Sequence, residues 1–152
     1  EKKIVDNQIH AAIICSPHNP AGRVWERWEL EKAMELRDQE SVNRSKTVLK
    51  RALEYIEENY VQETLSLNTV AGEVGVSANY FSAVFSQEME VTFIEYVTQK
   101  RMEKAKKLLR QTEKAFRDIA QEVGYKDPHY FSFVFKKTQG CTPREYRTRG
   151  NL

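Results

Sequence analysis

Val70-Ala71-Gly72-Glu73-Val74-Gly75 and Ile119-Ala120-Gln121-Glu122-Val123-Gly124 are one phrase written twice. The echo continues downstream. Phe81-Ser82-Ala83-Val84-Phe85 returns as Phe131-Ser132-Phe133-Val134-Phe135, and Thr92-Phe93-Ile94-Glu95-Tyr96 as Thr142-Pro143-Arg144-Glu145-Tyr146. The offset is 49 up to the glycine and 50 after it, so the second copy carries one extra residue in its turn. Two copies do not make a solenoid. They make a pair of small helical units. Each copy reads as a short helix, a glycine turn and a second helix, the pattern of a helix-turn-helix.

Working outward, the helices can be placed by their ends. From Lys46 the residues Val48, Leu49, Ala52, Leu53, Ile56 and Tyr60 form an amphipathic stripe, with Ser45 as the expected N-cap. Ser66 caps a helix from Leu67 to Val74, closed at Gly75, and Ser77 caps a third helix to about Met89. Thr92-Phe93-Ile94-Glu95 is a capping box opening a long helix to Leu109 or Arg110, with Ile94, Val97, Met102, Ala105, Leu108 and Leu109 expected inside. The second copy follows: Phe116 to Val123, then Asp127 as cap with Pro128 at the first helical position, running to Gln139. Thr142-Pro143-Arg144-Glu145 repeats the box and opens a final helix. Ala71 and Ala120 stand where paired helices approach closely. Val74, Val123, Val84 and Val134 are expected to pack each pair.

Composition sets limits. Of 152 residues, 40% are hydrophobic and 30% charged, enough for a core in a soluble, mostly helical chain. The net charge of +2 does not announce nucleic acid. Residues 45–152 hold 17 basic and 14 acidic residues against seven and eight before them, so the mild excess sits with the repeat. Cys15 and Cys141 lie far apart without a CxxC or a His pair, which suggests reduced thiols in a cytoplasmic protein and no metal. No apolar run reaches the roughly 18 residues of a membrane span. Glu1-Lys2-Lys3 does not read as a signal peptide. No catalytic triad, paired-carboxylate cleft or phosphate loop appears, so no enzyme is expected.

Residues 1–36 read differently. Ile9 to Cys15 suits a short buried strand, Ser16 to Gly22 is turn chemistry, and Trp25, Trp28, Leu30, Ala33, Met34 and Leu36 follow helical spacing. Cys15-Ser16-Pro17-His18-Asn19-Pro20-Ala21-Gly22-Arg23-Val24-Trp25 resembles the NP-x-G segment of fold-type-I, pyridoxal-phosphate-dependent aminotransferases, in particular the cystathionine β-lyase-like branch. The resemblance implies that Asn19 matches a cofactor-ring contact. The Schiff-base lysine and the family's other cofactor partners fall outside the match. This segment is therefore expected to be a non-functional appendage, as in a chimera, and to bind no cofactor. Residues 37–45 read as a linker, or as an extension of the preceding helix.

Residues 46–148 resemble the DNA-binding domain of the AraC/XylS family of bacterial transcription regulators. The likeness rests on Val70-Ala71 with Val74-Gly75, on Arg101-Met102 with Ala105 and Leu108-Leu109, and on Ile119-Ala120 with Val123-Gly124-Tyr125. It rests also on Tyr130-Phe131-Ser132, Phe135-Lys136-Lys137, Gly140, Thr142-Pro143 and Tyr146-Arg147. The wording is most similar to the output domains of AraC-type response regulators. The resemblance implies an all-α fold of two helix-turn-helix subdomains on a long linker helix. Its implied partners are double-stranded operator DNA and RNA polymerase, with dimerisation through a regulatory domain not in this sequence.

Carried over residue by residue, the base-contacting positions are Asn79, Ser82 and Ala83 in the first recognition helix and His129, Ser132 and Phe133 in the second. Asn suits adenine, Ser suits either edge, and Ala or Phe suits a thymine methyl. Ala83 and Phe133 depart from the long polar residues relatives often carry, which favours shape readout or methyl contact there. Phe133 also reads as a plain surface aromatic, and His129 as a helix-start surface residue. Phosphate contacts are expected from Ser77, Tyr80, Arg101, Lys126, Lys136 and Lys137, against the alternative of solvated charges. Phe81, Phe85, Phe131, Phe135, Tyr96 and Tyr146 read as core. Two unlike readers imply an asymmetric pair of half-sites. A helical protein-interaction module and an aminotransferase fragment that carries the function are the rival readings.

Overall fold

The computed structural model describes residues 26–150. They are all-α: α1 (Arg27–Asn59), α2 (Leu67–Glu73), α3 (Ala78–Met89), α4 (Phe93–Gln111), α5 (Phe116–Glu122), α6 (Pro128–Gln139) and α7 (Pro143–Gly150). The expected strand at Ile9–Cys15, the following turn, Asn19 and Trp25 lie outside the described residues. Among the described residues no helix is long and apolar enough to cross a membrane.

The chain divides into two compact units, Glu1–Glu40 and Ser41–Leu152. Of the first, the described part is the beginning of α1. Leu30, Ala33 and Met34 are half-buried there, whereas Trp28 is 66% and Leu36 55% exposed, so the expected stripe is only partly turned inward. Arg27 pairs with Glu31 one turn on, at 2.8 Å. Residues 37–45 are helical, the second of the two conformations their sequence allows. Ser45 is therefore not an N-cap. It lies inside α1, and its hydroxyl donates to the Ser41 carbonyl at 3.0 Å.

The second unit holds two cores. One joins Val48, Ala52 and Ile56 of α1, Val70, Ala71 and Val74 around α2, Phe81 and Phe85 of α3, and Phe93 and Val97 of α4. The other joins Met102, Ala105 and Leu109 of α4, Ile119, Ala120 and Val123 around α5, and Phe131, Val134 and Phe135 of α6. One helix thus serves both: the first half of α4 closes the first core and the second half opens the next. Four phenylalanines, Phe81, Phe85, Phe131 and Phe135, are fully buried. Truncating any one to alanine is expected to cost about 3–5 kcal/mol.

The copies match in detail. Tyr96 meets Phe85 edge-on at 5.5 Å and 73°, and Tyr146 meets Phe135 at 5.5 Å and 75°. Thr92 and Glu95 satisfy each other's backbone donors at 2.9 and 3.3 Å; Thr142 and Glu145 do so at 2.7 and 3.2 Å. The correspondence also runs upstream of the legible repeat. Moved by the same 49 residues, buried Val48 and Ile56 of α1 fall on buried Val97 and Ala105 of α4. Ile94 corrects an expectation. It is 71% exposed, because Phe93 beside it turns into the first core with Val97, and adjacent helical positions face about 100° apart.

Candidate nucleic-acid interface

Each copy sets its second helix against its first by the same turn. In the first, Gly75 N–H donates to Gly72 O at 3.2 Å and Val76 N–H to Ala71 O at 3.0 Å. In the second, Gly124 N–H donates to Gln121 O at 3.0 Å and Tyr125 N–H to Ala120 O at 2.8 Å. This paired bonding is the Schellman closure, with the glycine in the left-handed region. Tyr125 therefore corresponds to Val76, and the inserted residue is Lys126. Ala71 and Ala120 are 2% and 0% exposed, consistent with the close helix approach expected there.

Ser77 then starts α3, its hydroxyl accepting from Tyr80 N–H at 3.3 Å. Asp127 starts α6, its carboxylate accepting from His129 N–H at 2.8 Å, with Pro128 fixing the first turn. Both helices bury one side wholly. Phe81, Val84 and Phe85 point inward on α3, and Phe131, Val134 and Phe135 on α6. The helical period then turns Asn79, Ser82 and Ala83, and His129, Ser132 and Phe133, outward. Asn79, Ala83, His129 and Phe133 are exposed; Ser82 and Ser132 are half-buried. The Ser132 hydroxyl donates to Pro128 O at 2.9 Å, which leaves its oxygen as an acceptor. Ala83 lines a shallow cleft against Ser41, Val42 and Ser45 of α1.

The basic candidates divide. Lys136 and Lys137 are exposed at the end of α6, and Lys126 lies 84% exposed beside its start, 3.8 Å from Glu63. Tyr80 is half-buried with its hydroxyl 3.3 Å from that of Ser45, so α1 holds the ring in place. Arg101 is turned back onto the protein. Its Nε donates to Tyr60 O at 2.7 Å and its Nη2 to Gln62 O at 2.9 Å, and its guanidinium lies over the Tyr125 ring at 5.3 Å. Burial pushes its pKa down from the ordinary arginine value, and Tyr125 opposes that. This side chain binds backbone within the protein.

Sequence reasoning missed Tyr130. It is 57% exposed and stacks on Phe133, 62% exposed, with ring centroids 6.4 Å apart and planes 25° apart. Its place three residues before Phe133 on a helix was the available signal. The pair borders an open cleft of about 820 Å³ between α4 and α6, which Ile94 also lines.

Residues 70–149 match a family model described as a helix-turn-helix domain. An uncharacterised HTH-type transcriptional regulator in the cgkA 5′ region of Pseudoalteromonas carrageenovora is 30% identical over 156 residues, covering 96% of this chain and 92% of that protein. YtdP of Bacillus subtilis, also an uncharacterised HTH-type transcriptional regulator, is 38% identical over 86 residues, covering 57% of this chain. The chain spans 11% of YtdP and 33% of its relative YpdC from Escherichia coli.

Among solved structures, the C-terminal domain of AraT, a response regulator from Geobacillus stearothermophilus, superposes with a TM-score of 0.66 at 42% identity, over 67% of this chain and 84% of that one. A Chromobacterium violaceum transcriptional regulator of the AraC-type DNA-binding class gives 0.61 at 30%, over 70% and 94%. The DNA-binding domain of AdpA, solved with a target DNA, gives 0.63 at 19% over 66% and 90%, a likeness of fold alone. The P. carrageenovora alignment reaches into the N-terminal residues, and the aminotransferase resemblance of residues 1–36 finds no support in any of these likenesses. Matched by a family model over more than half its length and by one regulator nearly end to end, the chain belongs to the AraC-type family of helix-turn-helix transcriptional regulators.

Proposed function

We propose that residues 46–148 bind double-stranded operator DNA sequence-specifically, with α3 and α6 entering successive major grooves on one face of the duplex. The observation that carries this is the pairing of two recognition-type helices on one connecting helix. The 19 residues of α4 span roughly 28 Å at about 1.5 Å per residue. One turn of B-DNA is about 34 Å. Asn79, Ser82 and Ala83 read one half-site and His129, Ser132 and Phe133 the other. The Ser132 oxygen, its proton held by Pro128 O, accepts from adenine N6 or cytosine N4. Ser77, Tyr80, Lys126, Lys136 and Lys137 contact phosphate. By family likeness the protein acts in the bacterial cytoplasm as an activator, with RNA polymerase as second partner and dimerisation through a regulatory domain.

Selection from random duplexes, followed by titration of the selected site at rising salt, tests the proposal. The expected result is a bipartite site whose log affinity falls with log salt by about 0.9 per phosphate engaged. No enrichment, with salt-insensitive binding, would leave the protein-interaction module as the better reading.

A further inference from the structure

Arg101 stands at a crossing. Moved by the repeat offset of 49, its counterpart is Ala52, a residue with no exposed surface in the first core. The second copy replaces that small core side chain with the longest cation, and the cation reaches back into the first copy. Nε and Nη2 hold the Tyr60 and Gln62 carbonyls at 2.7 and 2.9 Å, in the loop between α1 and α2. The guanidinium carbon lies over the Tyr125 ring, 5.3 Å from its centroid, in the helix-turn-helix turn of the second copy. That turn presses on the same loop: a Cβ on Gly124 would sit 2.7 Å from the Val61 carbonyl oxygen and 3.0 Å from Arg101 Cζ. Real Cβ contacts do not come that close to a backbone oxygen. Arg147 makes a comparable pair of bonds, to Leu109 O and Lys114 O, but it lies over Phe116 of its own copy. Arg101 alone of the two joins the copies.

We propose that Arg101 is a positioning residue that fixes the angle between α3 and α6, and thereby the half-site spacing the protein accepts. The second clause rests on the DNA reading above; the first does not. A connecting helix alone leaves each copy held by one side of α4. The arginine adds a second tie, from the α1–α2 loop to the α5–α6 turn, away from the axis of α4. The planar guanidinium is suited to it, since it donates two bonds at once while its charge lies over a ring. Arg101 belongs to neither phenylalanine core, so its removal loosens the joint and leaves both copies folded.

Spin labels on Gln87→Cys and Lys137→Cys, equivalent exposed sites on α3 and α6, measure the angle directly in the full chain carrying Cys15→Ser and Cys141→Ala. Without DNA, the parent should give one narrow distance, and R101A and R101K a broadened or shifted one. Circular dichroism should show all of them folded. On selected DNA, the unlabelled R101A should lose roughly tenfold in affinity, the scale of one disturbed base contact. It should also be penalised less than the parent by one base pair inserted between half-sites. A narrow, unshifted distance in R101A overturns the proposal, as does loss of folding. Full recovery by R101K with unchanged distances would show a phosphate-binding charge instead. Broadened distances in a protein that binds no DNA would sink the DNA reading and keep the joint.

Discussion

At the scale of single residues the two copies form a matched experiment. Ser66 caps α2 and shares a capping box with Thr69, whereas Ala115 stands at the equivalent place before α5 with no side-chain bond. Its backbone is already extended, at φ −61° and ψ 147°, as a capping serine needs. Ala115→Ser should therefore stabilise the protein by about 0.5–1 kcal/mol in urea unfolding. A second mismatch ends the recognition helices. Gly140 closes α6 in the left-handed region, and Glu90 closes α3 there at φ 58° with a side chain attached. Glu90→Gly should raise stability by about 1 kcal/mol, read as a higher thermal midpoint. On DNA, Asn79→Ala and Ser132→Ala should each relax preference by about 1–3 kcal/mol at one position of one half-site. Equal losses on every sequence in a competition assay would mean that they touch phosphate.

At the scale of elements, the helix starts are pH-sensitive. Hydrogen bonds from the Thr92 side chain and backbone hold the Glu95 carboxyl below its ordinary value of 4.5. The Thr142 backbone and then its side chain do the same for Glu145. A depressed folded pKa contributes stability that is fully present above the ordinary value and is lost as pH falls through the folded one. Urea midpoints should thus fall as the pH drops below the ordinary carboxylate value, and Thr92→Ala, costing about 1 kcal/mol at neutral pH, should flatten part of that fall. These boxes were plain in the sequence, as were Asp127-Pro128 and the glycine turns, because each is a local pattern with its cause in neighbouring residues. The continuity of α1 was not. Residues 37–45 carry charge without an apolar stripe, and such a stretch reads alike as loop or solvated helix. Ile94 was misplaced because Phe93-Ile94 offers two adjacent apolar residues and periodicity does not choose between them. The inward bonds of Arg101 were illegible for a deeper reason. Its partners are backbone carbonyls 39 and 41 residues away, and carbonyls leave no trace in a sequence. The outward positions of α3 and α6 came with the family resemblance, whereas the spacing of Tyr130 and Phe133 marked them as neighbours without showing that their rings stack.

At the scale of the molecule, α4 is shared property. Phe93 and Val97 complete one core, and Met102, Ala105 and Leu109 complete the other. A cut between Val97 and Met102 would leave each core its own side chains but would halve α4, and helices shorter than about 12 residues are marginal on their own. Repeat arrays usually grow and shrink by whole copies, each needing only its neighbour's face. Here a copy released alone would keep its interior side chains on only half of the helix that carries them. The pair is thus the smallest piece that keeps α4 whole. A lineage can exchange the domains around it, but it inherits the two readers together, and each must change its preferences in the company of the other.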